Sequence, residues 1–194
     1  MPENSTKHPE SAQFYRSFRF EKGSLTGAEA FFGISRQRIE QAIKNLVDRE
    51  GPAHKETIKR KIADHFSARM GKRISGELDR VIMSAVINRL VTERRDFLWP
   101  NGMTVPPLRI YNKGGSKREI EEIPPEEIGL AILECVRNSI GISEDGVTRE
   151  VARLFGLRAG KNTVRPIKQV INHLIRYKAL AVKGNKLVVV NKRK

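Results

Sequence analysis

The side chains best suited to chemistry lie between Gly156 and Lys186. Gly156-Leu157-Arg158-Ala159-Gly160-Lys161-Asn162-Thr163 approaches the nucleotide phosphate loop. It spaces its glycines by three residues instead of four, follows a helical pattern instead of a strand, and puts Asn162 where a metal-binding hydroxyl is needed. Nucleotide binding is therefore not expected. His8, His54, His65 and His173 have no metal-ligand spacing, and Cys135 stands alone on an apolar helical face with no basic neighbour to activate its thiol. The carboxylates of Glu119 to Glu127 and Glu144-Asp145 mark helix starts, where negative charge favours the helix dipole. A nuclease would need such groups to converge with a lysine on a sheet, and no such sheet is predicted. No catalytic residue, metal or cofactor is expected. The remaining chemistry is the recognition of phosphate by cationic side chains.

The distribution of charge supports that reading. The 194 residues carry 37 Lys+Arg and 22 Asp+Glu, a net charge of +15. Residues 1–50 contribute +1, 51–99 contribute +5, 100–150 contribute −3, and 151–194 contribute +12 without a single acidic residue. Mixed signs suffice for solubility, so a wholly basic 44-residue stretch points to a polyanion. No run approaches the ~18 apolar residues of a membrane span. Met1 to Ala12 is polar, unlike a secretory signal, and one cysteine allows no disulfide framework. A cytoplasmic protein, nucleoid-associated if bacterial, is expected.

An internal repeat supplies the elements that position these side chains. A shift of 89 residues aligns Ile39, Ala42, Ile43 and Val47 with Ile128, Ala131, Ile132 and Val136, and Arg60, Ala63 and Phe66 with Arg149, Ala152 and Phe155. Val86 to Leu90 matches Val170 to Leu174 at a shift of 84, which predicts five extra residues in the first copy around Arg69 to Gly76. In the second copy, Pro124-Pro125-Glu126-Glu127 opens a helix whose apolar stripe is Ile128, Ala131, Ile132, Cys135 and Val136. Ser143 caps a second helix with Val147, Val151, Leu154 and Phe155 inward, and Gly156 stops it. Asn162 or Thr163 caps a third, with Pro166 in its first turn and Ile167, Val170, Ile171, Leu174 and Ile175 buried. Ala179 to Val182 and Leu187 to Val190 flank Gly184-Asn185 as a hairpin.

In the first copy the helices fall near Arg38 to Arg49, His54 to Ala68 and Glu77 to Glu93. A wing starts at Phe97-Leu98-Trp99 and turns through Pro100-Asn101-Gly102. The predicted fold is mainly α with small β-hairpin wings (α+β), as two tandem winged helix-turn-helix domains. The boundaries are 1–37 for an N-terminal extension, 38–104 for the first domain, 105–122 for a linker and 123–194 for the second domain with its basic tail. Phe14, Tyr15, Phe18, Phe20, Phe31 and Phe32 are expected to pack the extension onto the first domain.

The third helix of a helix-turn-helix enters the major groove. With Ile167, Val170, Ile171 and Leu174 inward, Arg165, Lys168, Gln169, Asn172 and Arg176 face outward. Arg and Lys can read guanine, and Gln and Asn can pair with adenine. Arg158 and Lys161 precede that helix, Lys183 and Lys186 flank the wing turn, and Lys192-Arg193-Lys194 trail behind. The expected partner is double-stranded DNA. On the 84-residue alignment the first copy replaces Arg165, Lys168 and Gln169 by Val81, Ser84 and Ala85, a face suited to protein contact. Its cations Lys59, Arg69, Lys72, Arg73, Arg94 and Arg95, with Arg60 and Lys61 beside them, are expected to add secondary phosphate contacts.

The strings F-L-W-P-N-G (Phe97 to Gly102), I-P-P-E-E-I-G-L-A-I-L (Ile123 to Leu133) and V-T-R-E-V-A-R-L-F-G-L-R-A-G (Val147 to Gly160) resemble domain of unknown function 3320, over about residues 38–183. That family lies near the C-terminus of large bacterial proteins with superfamily 1 helicase segments, often beside a short nuclease-like domain. The resemblance implies a helicase or nuclease subunit as partner, in DNA repair or defence against foreign DNA. It supplies no catalytic residues. Arg158, Ala159 and Gly160 match the family's basic, glycine-containing turn. The chain has no helicase motif, so ATP hydrolysis is not expected. The alternatives are a protein-interaction module of a helicase complex and a transcriptional regulator.

Overall fold

The structure, a computed structural model, describes residues 9, 12–19 and 31–190. In chain order these hold β1 (Gln13–Phe14), α1 (Arg36–Glu50), β2 (Ala53–His54), α2 (Lys55–His65), α3 (Lys72–Ile87), β3 (Val91–Arg94), β4 (Phe97–Pro100), β5 (Arg109–Ile110), a 3-10 turn at Ile120–Glu122, α4 (Pro125–Arg137), α5 (Glu144–Leu154), α6 (Lys161–Arg176), β6 (Leu180–Lys183) and β7 (Lys186–Val189). The chain is mainly helical with small sheets, and none of the described helices is long and apolar enough to cross a membrane. It divides into two compact units, Arg16–Pro106 and Pro107–Lys194 together with Met1–Tyr15.

In the first unit α1, α2 and α3 pack against one another, and β3 and β4 form an antiparallel hairpin with β2 added to β4. In the second, α4, α5 and α6 pack in the same order and β6 and β7 form the hairpin. Each element of the second series begins 89 residues after its counterpart. Thus α2 and α5 start at 55 and 144, α3 and α6 at 72 and 161, and β4 and β7 at 97 and 186. The cores match in the same register. Ile43 and Ile132, Ile58 and Val147, Ile62 and Val151, Leu78 and Ile167, Ile82 and Ile171, and Leu98 and Leu187 are all buried. Removing each such side chain from water contributes about 1.5–3 kcal/mol, so the shared pattern specifies both units.

The backbone punctuation repeats as well. Both second helices end on a left-handed residue, Ser67 (φ 51°) and Gly156 (φ 71°). The amides of Ala68 and Leu157 then donate back to the carbonyls of Ala63 and Ala152, a Schellman stop. The third helices stop in the same way at Arg89 and Lys178, with φ of 54° and 56°. The hairpins turn on Arg95 (φ 55°) and Gly184 (φ 63°). Even the added strand recurs: Ala53 pairs with Leu98 in one unit, and Ile142 bridges to Leu187 in the other.

Several sequence expectations are corrected by this register. The shift stays at 89 through the third helix, so the first copy has no five-residue insertion. The V-I-N-R-L and V-I-N-H-L strings are not equivalent, because Ile87 is 71% exposed at a helix end while Ile171 is fully buried. The first hairpin runs from Val91 to Pro100 and turns at Arg95-Asp96. Phe97–Pro100 is its second strand, and Asn101-Gly102 follows it. Helix α3 occupies 72–87, not 77–93, and α6 starts at Lys161 with Gly160 as N-cap, so Pro166 sits beyond the first turn.

Residues 107–122 are not a free linker. Leu108, Ile110 and Ile120 are buried in the second unit's core, and β5 pairs in parallel with β1. The N-terminal aromatics are split accordingly. Tyr15 is buried in the second unit beside the Arg118 guanidinium, 4.5 Å from its ring, whereas Phe31 and Phe18 join the first core. Phe20 and most of residues 1–30 lie outside the described residues.

A buried ionic network anchors the 107–118 stretch to α4. Glu127 is fully buried in the first turn of α4. Its carboxylate accepts from the Arg109 backbone N–H at 2.8 Å, from Arg109 Nη2 at 2.5 Å, and from Arg118 Nη1 and Nη2 at 2.9 and 2.7 Å. Arg118 Nη2 also donates to the Arg109 carbonyl at 2.6 Å. Burial alone would raise the Glu127 carboxyl, but hydrogen bonds from Arg118 and the charges of Arg109 and Arg118 outweigh it and hold it below the usual range.

Candidate nucleic-acid interface

Helix α6 carries most of the candidate site. Ile167 and Ile171 are fully buried, with Val170, Leu174 and Ile175 packed beside them. At 3.6 residues per turn, the opposite side presents Lys161, Arg165, Gln169, Asn172 and Arg176 as one exposed stripe. Among the described residues no side chain caps this helix, so neither Asn162 nor Thr163 has the expected role. The Gly160 carbonyl instead receives the amides of Thr163 and Val164. At the start of this helix, whose first N–H groups lack an intrahelical acceptor, stand the exposed cations Arg158 and Lys161. Lys183 and Lys186 face each other across the hairpin ladder and are exposed. The Lys186 stem passes Gly141, where an added Cβ would meet its Cδ at 2.8 Å. Lys192, Arg193 and Lys194 lie outside the described residues.

Lys168 differs from its neighbours. Its Nζ lies 2.9 Å from Asp145 Oδ1 and 3.4 Å from Glu144 Oε1, in the acidic first turn of α5. These hydrogen bonds, Asp145 first, raise the Lys168 ammonium above its ordinary pKa. The same Lys168 contact, with a smaller effect of Arg149, holds Asp145 below the usual carboxylate range. Ser143 caps α5, its Oγ accepting from the Gly146 amide at 3.2 Å.

The 89-residue register also changes what the first unit presents. The positions of Arg165, Lys168, Gln169, Asn172 and Arg176 are taken by Gly76, Asp79, Arg80, Met83 and Ile87. Val81 and Ala85 are core residues and face no partner. Lys59 is corrected too: it is 4% exposed, with Nζ 2.7 Å from Glu56 and 3.0 Å from Asp79. Burial tends to lower its ammonium, but the hydrogen bonds to Glu56 and Asp79 prevail and raise it. Arg94 is half-buried, donating to the Met103 carbonyl at 2.8 Å with its guanidinium over the Trp99 ring. Arg73 is exposed over Phe32, and Arg69, Lys72 and Arg95 are exposed.

Arg149 is not among the contacts expected from sequence. It is exposed on α5, one turn after Asp145, and the ion pair of Asp145 with Lys168 brings that turn beside α6. Cys135 is pushed up to about 12, chiefly by burial and then by the charge of Glu150. His54 caps α2, its Nδ1 accepting from the Glu56 amide, and His173 stacks near Tyr177 with ring centroids 4.4 Å apart. Among the described residues no group of three or more His, Cys, Asp or Glu could hold a metal.

Residues 29–76 match the family model "Protein of unknown function (DUF3320)". This is the family that the sequence strings resemble. The matched segment lies in the first unit and covers α1, α2 and the start of α3, so it precedes the strings at 97–160. No curated protein matches the chain.

Proposed function

We propose that the chain is a non-catalytic DNA-binding protein made of two winged helix-turn-helix units, of which the second engages double-stranded DNA. The observation that carries this reading is the exposed α6 stripe Lys161, Arg165, Gln169, Asn172 and Arg176, on the third helix of a helix–helix–helix–hairpin unit. Cations of the turn and hairpin (Arg158, Lys183, Lys186) supply phosphate contacts that set orientation, while the amides of Gln169 and Asn172 are suited to base edges. From the family resemblance we further propose that it acts beside a helicase or helicase–nuclease, in repair or in defence against foreign DNA.

A second reading, a docking module of such a complex, is favoured by Met83 and Ile87. They are 56% and 71% exposed on the α3 stripe that corresponds to the basic stripe of α6. The two readings differ in salt response. Phosphate binding makes log affinity fall with log salt by ~0.9 for each contact. Titrating a labelled duplex with the full chain at several salt concentrations tests the first reading; no measurable binding, or binding indifferent to salt, would refute it. ATPase and metal-dependent nuclease assays test the non-catalytic assignment, which turnover would overturn.

A further inference from the structure

We propose that Lys168 and Arg149 have separate duties beside the α6 stripe: Lys168 is a positioning residue that ties α6 to the first turn of α5, and Arg149 is the side chain on that flank that contacts DNA phosphate. The inference rests on the DNA-binding reading above and deepens it. Lys168 would be an obvious phosphate ligand by sequence, yet its ammonium bridges Asp145 at 2.9 Å and Glu144 at 3.4 Å. The other unit shows what this link is for. Asp79 holds the position of Lys168, and it too is ion-paired to the preceding helix, with Lys59 Nζ at 3.0 and 3.2 Å from its two oxygens. The sign of the charge is reversed and an ion pair to the preceding helix is kept, with its partner at Lys59, one turn further along that helix than Glu144 and Asp145. A tether needs only the pairing, whereas a phosphate ligand needs the positive sign.

Arg149 has the complementary properties. It is exposed, it follows Asp145 by four residues on the outer face of α5, and among the described residues no carboxylate lies within ion-pair distance of it. Arg153, one turn later, is by contrast held by Glu150 at 2.6 Å. The aligned residue of the first unit, Arg60, is also an exposed arginine, so position and charge are both retained. A guanidinium offers five N–H donors in a planar fork suited to phosphate oxygens.

The test measures duplex affinity against salt for the full chain, for Arg149→Ala, for Lys168→Met, and for Lys168→Met combined with Glu144→Gln and Asp145→Asn. Thermal unfolding of each variant controls for folding. Arg149→Ala is expected to lower the slope of log affinity against log salt by ~0.9, one phosphate contact. Lys168→Met is expected to keep the parent slope while losing affinity several-fold, because two carboxylates are left uncompensated beside the DNA. Removing those carboxylates as well is expected to restore affinity to within about twofold of the parent. An unchanged slope in Arg149→Ala would overturn the inference. So would a loss of ~0.9 in Lys168→Met that persists in the triple variant. If the parent itself fails to bind duplex, the DNA-binding reading falls, and this inference with it.

Discussion

Asp79 and Lys168 occupy the same position on the third helix of their units, and each is ion-paired to the preceding helix with the opposite charge. Around this inverted pair the two units share helix starts, left-handed stops, hairpin register and buried positions at a constant spacing. The framework is duplicated and the surfaces have diverged. In the second unit the outer stripe of the third helix is basic and amide-bearing, and in the first it is Lys72, Gly76, Arg80, Met83 and Ile87.

Glu127 makes the second unit sensitive to acid. Its carboxyl is depressed in the folded state, so the stability it confers is present above the unfolded value near 4.5 and is lost as pH falls through the folded value. Melting temperatures between pH 7 and pH 3 are expected to drop at the acid end. Glu127→Gln leaves two buried guanidinium groups without their anion, a loss of about 3–5 kcal/mol. That variant should also show a flatter acid response than the parent. An unchanged melting curve would mean that the network is not the anchor of the 107–118 stretch.

The Schellman stops of α2 and α5 respond to substitution in opposite ways. Ser67 holds φ 51° without being glycine, and Ser67→Gly is expected to stabilise the first unit by about 1 kcal/mol. Gly156 holds φ 71°, and a Cβ there would fall 2.4 Å from Tyr111 Cγ. Gly156→Ala therefore combines backbone strain with a clash against a ring, and is expected to cost about 2 kcal/mol or more. Chemical denaturation of the two variants checks both signs.

The apolar C-terminal part of the outer face of α3, Met83 and Ile87, should be silent toward DNA. Met83→Ser and Ile87→Ser change exposed side chains, so stability is expected to stay within about 0.5 kcal/mol of the parent. Duplex affinity should be unaffected as well. Melting and duplex titration of the double variant provide the check, and a large loss of affinity would place DNA on the first unit.

The core periodicity of both copies could be read from sequence because Ile, Val and Leu recur at helical spacing, and Ser143 and Gly156 mark the ends of α5 as expected. The 89-residue register was legible over the first two helices but not over the third. The Val86–Leu90 string repeats by letter but lies on a helix end, where Ile87 faces solvent. The stretch 105–122 looks like a linker because of its prolines, glycines and charges. Arg109 and Arg118 are instead buried against Glu127, a carboxylate on another element. The β1–β5 pairing joins residues almost a hundred positions apart, beyond the reach of local pattern. Among the candidate site residues, exposure of the α6 stripe follows from periodicity alone. The capture of Lys168 and Lys59 by carboxylates depends on how neighbouring helices pack, which periodicity does not encode.

The central claim is that the second unit binds duplex DNA through α6 and the hairpin cations. The most direct measurement is the salt dependence of duplex affinity for the parent and for Arg165→Glu, Arg176→Glu and Lys183→Glu combined, three exposed residues outside either core. The triple variant is expected to fold as the parent does, to bind at least tenfold more weakly, and to lose about 2–3 from its salt slope. A triple variant that binds as tightly as the parent, with the same slope, would contradict the claim.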